Sequence, residues 1–240
     1  MDRVLARFED PASDPAENIH QLRTCCKRMR ALLLLLPGDT RRLRRRFRDA
    51  ARFVGALRDH HVGATHATRL GGGPPTARDT NDREATALEG AVSELRRGRA
   101  DVTRWPTAGL CEATLGEGFE RTLRRCDDAL ARALAEPSDE RVHALRKWVK
   151  YHYYQLLALA PLGPPSLHER SLTMHEIGHL LGEAHDLAVL EADWPRRTAE
   201  QRRTLRNLQA RKRRRKRRGL ALAQEWLRER HCPVPGSGVK

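Results

Sequence analysis

The sequence predicts an all-α fold built from two similar helical halves, and three observations lead to that class. Apolar residues recur at helical spacing, whereas alternating runs rich in Val, Ile, Thr and Tyr are missing and aromatics make up only 5% of the 240 residues. Helix start and stop signals punctuate the chain at intervals of about one helix length. Finally, a segment occurs twice: Ile19-His20-Gln21-Leu22-Arg23 followed by Lys27 returns as Val142-His143-Ala144-Leu145-Arg146 followed by Lys150, 123 residues later. A second group follows each copy, since Gly55, Asp59 and Val62 recur as Gly182, Asp186 and Val189, offset by 127. Conserved order and near-constant offset are the mark of an internal duplication.

The elements follow in order. Asp14-Pro15-Ala16-Glu17 has the form of a capping box with proline at the first helical position, so a helix should begin near residue 15 and stop before Pro37-Gly38. A strongly basic helix follows from about Thr40, carrying Arg41, Arg42, Arg44, Arg45, Arg46 and Arg48, and leads to Gly55. Gly71-Gly72-Gly73-Pro74-Pro75 is a loop. Helices over about 81–99 and 110–135 complete a first half spanning 1–136. Ser138 is a good N-cap and restarts the pattern, with helices near 139–159, 166–192 and 197–230 making a second half over 137–231 and a flexible tail over 232–240. Gly178 and Gly182 are the points where the middle of these helices would kink.

The repeated segment is divided sharply into two faces. At about 100° per residue, His20, Arg23, Lys27 and Arg30 fall within an arc of roughly 80°. Leu22, Cys25, Cys26, Met29, Leu33 and Leu36 lie on the opposite side as a core face. In the second copy His143, Arg146 and Lys150 share a stripe with Tyr153, opposite Leu145, Trp148, Val149, Leu156 and Leu159. Neither stripe contains an acid. Like charges at this spacing repel by a few tenths of a kcal/mol per pair, a cost that an anionic ligand would offset. Two bundles side by side, with both stripes turned to a shared cleft, would present that charge twice to one anion.

Composition narrows the ligand. The formal net charge of +15 points to a polyanion such as nucleic acid, an anionic membrane surface or a phosphate polymer. Eight of these charges form one tract, Arg211-Lys212-Arg213-Arg214-Arg215-Lys216-Arg217-Arg218, yet the remainder of the chain is still basic. Its density suits phosphate binding or a targeting signal, and the tract would otherwise be a solvated stretch of helix. Cys25, Cys26, Cys111, Cys126 and Cys232 are odd in number, scattered and without CxxC spacing, which argues for a reducing compartment and small core residues. No signal h-region and no run of about 18 apolar residues is present, so a soluble cytoplasmic protein is expected.

With these residues in place, the chain resembles the CHAD domain, the conserved-histidine α-helical domain. The resemblance rests on the His-x-x-Arg-x-x-x-Lys of both halves, on Gly55-Ala56-Leu57-Arg58-Asp59-His60-His61-Val62, and on Leu181-Gly182-Glu183-Ala184-His185-Asp186-Leu187-Ala188-Val189. It covers roughly residues 12–230. It implies two four-helix-bundle-like halves related by a pseudo-twofold axis around a basic cleft, and binding of long-chain inorganic polyphosphate there; the lack of catalytic patterns in the chain makes a non-enzymatic module the expectation. Carried over position by position, the implied ligands are His20, Arg23, Lys27 and Arg30, then His143, Arg146, Lys147 and Lys150, with Arg41, Arg42, Arg45 and Arg48 as weaker candidates. Tyr151 and Tyr153 stand where a second-half match to Arg28 or Arg30 would be expected. Polyphosphate targeting or scaffolding, with association to polyphosphate granules, is the function such a site would serve. Histidine beside phosphate favours its protonated form, so binding should strengthen toward pH 6. Asp59 and Asp186 are expected to orient Arg58 and His185 or to cap backbone, because they cannot face a polyanion unpaired.

Two other functions compete. A nucleic-acid-binding protein could use Arg211 to Arg218, although few aromatics are available for base stacking and no DNA-binding motif is recognisable. His175-Glu176-Ile177-Gly178-His179-Leu180-Leu181-Gly182-Glu183-Ala184-His185 matches HExxHxxGxxH, in which His175, His179 and His185 would hold zinc and Glu176 would activate water. That protease site needs a methionine turn downstream, whereas Met1, Met29 and Met174 all lie upstream, and no strand precedes it to bind peptide. There is no P-loop, GxGxxG or GxSxG, and no metal or cofactor is expected.

Overall fold

A computed structural model describes residues 1–10, 12–55, 81–194 and 198–231. The segment carrying Asp59 and Val62 with Arg58, His60 and His61, the Gly71–Pro75 stretch, and the 232–240 tail with Cys232 lie outside the described residues. Among the described residues there are eight α-helices and no strand: α1 Asp2–Glu9, α2 Pro15–Leu32, α3 Arg41–Phe53, α4 Asn81–Thr103, α5 Glu112–Ala135, α6 Asp139–Leu159, α7 Ser166–Asp193 and α8 Ala199–His231. The chain forms two compact units, Met1–Gly118 and Phe119–Lys240, with the division inside α5.

In the first unit the Asp14 carboxylate accepts from the Ala16 N–H at 3.1 Å and caps α2. The reciprocal arm of the expected box does not close, because Glu17 instead accepts from Gln21 Nε2 at 2.6 Å. The cationic stripe leaves α2 free to bury Ile19, Leu22 and Cys26 against Leu43, Phe47 and Val54 of the α3 segment and Ala91 and Leu95 of α4. Gly98 lets the Phe47 ring lie against bare α4 backbone, where a methyl group would stand 2.8 Å from Cζ. Arg46, one of seven arginines in α3, bridges α3 to α4 through Glu94 at 3.3 Å and Asp101 at 2.7 Å. The helix α1 is not predicted by the sequence: eight residues are too few to hold a helix alone, and burial of Leu5 together with an Arg7 Nε bond to Asn18 Oδ1 at 3.0 Å holds it.

The second unit packs the remainder of α5 with α6, α7 and α8 around Leu145, Val149, Leu156, Met174, Ile177, Leu181 and Trp226. Ser138 caps α6 as expected, accepting from the Arg141 N–H at 3.2 Å. The α7 helix runs unbroken from Ser166 to Asp193 through Gly178 and Gly182. Of the cysteines, Cys25, Cys26 and Cys126 are buried and Cys111 is exposed, all four as free thiols. Burial pushes the Cys26 thiol up to about 12, which makes it an inert core residue.

The basic tract is part of α8, and its charges are sorted by helix face. Lys212, Arg215 and Lys216 lie on the side that carries Leu205, Leu208 and Gly219, and acids of α6 and α7 meet them there. Lys212 Nζ contacts Asp139 at 3.0 Å and Glu191 at 2.5 Å, Lys216 contacts Asp139, and Arg215 reaches Glu183 at 3.2 Å. Burial alone would raise the Asp139 carboxyl, but hydrogen bonds and charge from Lys216 and Lys212 outweigh it and hold it below its usual range. The Lys212 hydrogen bond likewise lowers Glu191. Both carboxylates therefore contribute stability that is complete above the ordinary carboxylate pKa and is lost as pH falls through their depressed values. Lys212, raised by its two carboxylate partners against the effect of burial, contributes below the ordinary lysine pKa and loses that contribution at higher pH. Thermal melts should show an acid limb below about pH 4 that is shallower in Asp139→Asn, whose Tm at pH 7 falls by roughly 2–4 °C. A variant with the wild-type acid limb would show that the lysines do not hold this carboxylate.

Candidate functional site

The α6 and α7 helices run antiparallel, and their facing stripes meet residue by residue. The His143 and His185 rings lie 4.4 Å apart. One turn further along, Arg146 crosses Gly182, where a methyl group would stand 3.3 Å from Nε and 3.5 Å from Nη2. Lys150 then crosses Gly178, where a methyl group would stand 3.0 Å from Cε, 3.2 Å from Cδ and 3.4 Å from Nζ. Last, the Tyr153 and His175 rings are 5.3 Å apart. The two glycines thus make a bare track on α7 in which the stems of Arg146 and Lys150 lie, with a histidine at either end.

Two groups of this ladder are shifted against their charged forms. Burial, reinforced by the charge of Arg146, lowers the Lys150 ammonium below the usual lysine range. Burial, then Lys150 and His179, lower the His175 imidazole. Lys150 Nζ also lies 5.4 Å from the Tyr153 ring centroid and Lys147 Nζ 4.9 Å from that of Trp148, both within cation–π range. His143 and Lys147 are exposed, while Arg146 and Lys150 are half-buried, so the ladder opens to solvent at its α6 rim.

The same geometry divides the HExxHxxGxxH match between helix faces. In one continuous helix, the motif separates into two interleaved stripes. His175, Gly178, Gly182 and His185 face α6, whereas Glu176 pairs with Arg218 at 3.2 Å and Glu183 with Arg215 at 3.2 Å on the side of α8. His179 lies 3.6 Å from Glu183, one turn along the same helix. The three histidines are thereby split between faces, and among the described residues no three His, Cys, Asp or Glu side chains converge as a metal site.

In the first unit the corresponding parts are Arg23 of α2 and Gly55 just beyond α3. A methyl group on Gly55 would stand 3.6 Å from Arg23 Nη1, and the same Nη1 donates to the Ala51 carbonyl at 3.0 Å. His20 is exposed, and Arg23, Lys27 and Arg30 are half-buried. Stepping along the antiparallel helices from the Arg23–Gly55 contact puts Ala51 opposite Lys27 and Arg48 opposite Arg30. Of the weaker candidates, Arg48 is exposed and pairs with its neighbour Asp49 at 3.3 Å. Arg41, Arg42 and Arg45 are exposed farther round α3, and Arg41 is paired with Asp39 at 2.9 Å. Arg44, whose Nε donates to Thr40 Oγ1 at 3.2 Å, shares the side of Ala51 and Gly55 and is a residue the sequence did not single out. In the second unit the sequence reading put Tyr153 on the stripe and His175 and His185 in a zinc motif, and did not bring the two histidines and the two glycines of α7 together with that stripe.

In comparison with known families, the family model described as the CHAD domain matches residues 2–194. No curated protein and no solved structure matches the chain.

Proposed function

Because this chain belongs to the CHAD domain family, we propose that it is a non-enzymatic module that binds long-chain inorganic polyphosphate along its cationic stripes. The observation that carries this reading is the α6–α7 ladder, where two cations are laid side by side over bare helix backbone between two histidines. Polyphosphate carries about one negative charge per unit, and His143 to Lys150 extends about 10 Å along α6, so successive units meet successive cations and release condensed counterions. Arginine supplies forked donors to phosphate oxygens and lysine a compact charge. The finer arrangement, two duplicated halves related by a pseudo-twofold axis around a basic cleft, belongs to the same proposal. So do residence in the cytoplasm and association with polyphosphate granules. No described helix is long and apolar enough to cross a membrane.

Bound phosphate opposes the effects that depress His175 and Lys150, so binding takes up protons and tightens as pH falls. Calorimetric titration with long-chain polyphosphate should give saturable binding, about 3- to 10-fold tighter at pH 6 than at pH 7.5. Absence of binding at both pH values, or an affinity independent of pH, contradicts the reading.

A further inference from the structure

The outward face of α8 lies beyond residue 194, where the family match ends, and the stripes do not involve it. Between residues 201 and 224 the sequence contains no Asp or Glu. The cations on the inner side of α8 are matched by Asp139, Glu183 and Glu191 of α6 and α7. On the outer side Arg218 reaches Glu176 of α7 at 3.2 Å, but Arg203, Arg206, Arg211, Arg213, Arg214 and Arg217 are all exposed, and among the described residues no carboxylate pairs with these six. We infer that this ridge of α8 is a second polyanion surface, which docks on the phosphate backbone of duplex DNA without reading its sequence.

Three features select that partner. From Arg203 to Arg217 the ridge is about 21 Å long and straight, because it is one helix. Around the axis the guanidiniums occupy roughly 160°, with Arg206 and Arg213 on one flank and Arg211 and Arg214 on the other. Two flanks on a rod about 10–12 Å wide match the two phosphate rows bordering a major groove about 12 Å across, whereas a single phosphate chain engages one flank at a time. The A-form groove of duplex RNA is too narrow for this approach. A membrane surface fits poorly, since an interfacial helix needs an outward apolar face and the exposed apolar residues here are Ala199, Ala210 and Ala221. With Asn207 as the one amide side chain among the exposed residues of the ridge, base-specific contacts are few, and phosphate contacts position without specifying.

The test is the triple substitution Arg213→Gln, Arg214→Gln and Arg217→Gln in the full chain, which keeps helix propensity and touches no paired cation. Binding of a short labelled DNA duplex is followed by anisotropy over a salt series. We expect affinity to fall at least about 10-fold and the slope of log K against log salt to lose roughly 2.7, about 0.9 for each phosphate contact removed. Polyphosphate affinity in the same variant should be unchanged, which separates this ridge from the stripes. A wild-type chain that does not bind duplex DNA, or a triple variant that keeps both affinity and slope, overturns the inference. An equal loss of polyphosphate binding, or binding of the wild type to anionic vesicles in place of DNA, assigns the ridge to another partner and overturns it as well.

Discussion

Charge reversal at Arg23 and Arg146 together should lower affinity for long-chain polyphosphate by at least about 100-fold. A hydrogen bond to a charged group is worth about 1.5–3 kcal/mol, so removing one contact in each unit costs about 3 kcal/mol before the new repulsion is counted. Each arginine lies against a glycine of the neighbouring helical segment, Arg23 at Gly55 and Arg146 at Gly182. Arg23 also donates to the Ala51 carbonyl, so Arg23→Gln, which retains a donor, serves as the companion variant that preserves α2 against α3. Binding is read by calorimetry and folding by circular dichroism. A folded double variant with wild-type affinity would remove the stripes from the site.

The second large effect separates binding from stability. Alanine is favoured over glycine in a helix interior by about 1 kcal/mol, so Gly178→Ala with Gly182→Ala should leave the melting temperature of the protein unchanged or higher. Yet each new methyl group enters space now held by a cationic stem, 3.0 Å from Lys150 Cε and 3.3 Å from Arg146 Nε. These are flexible side chains and they yield, swinging out of the track and losing their fixed spacing. With two charge-assisted contacts disturbed, the double variant should bind polyphosphate on the order of 100-fold more weakly. Gly116→Ala is the control: a methyl group there meets nothing within 4 Å, and it should raise helix stability without altering affinity. Wild-type affinity in the double alanine variant would show that the glycines do not position the cations.

Much of this was legible in the sequence because it depends on local chemistry. Proline at the start of α2 and serine before α6 set the ends of those helices, and the 3.6-residue period separated Leu22 and Leu145 from the stripes. What the sequence left unread depends on pairing between distant segments. His143, Arg146, Lys150 and Tyr153 are spaced by three, four and three residues, and His175, Gly178, Gly182 and His185 repeat that spacing. Two antiparallel helices with equal spacing meet at every step, so the glycines mark the track of the cations. The zinc-like motif concealed this, since reading it as one unit merges residues that face α6 with residues that face α8. The division of the basic tract was equally hidden: Lys212 and Arg213 are adjacent in sequence, and only the positions of Asp139 and Glu191 distinguish them.

Side-chain NMR of arginine and lysine during titration with a short polyphosphate, at moderate salt, addresses the stripes directly. Signals of Arg23 and Lys27 in one unit and of Arg146 and Lys150 in the other should shift together and saturate, while those of Arg213, Arg214 and Arg217 stay in place. Shifts confined to the α8 tract, with the four stripe residues unmoved, would contradict a polyphosphate site on α2 and α6.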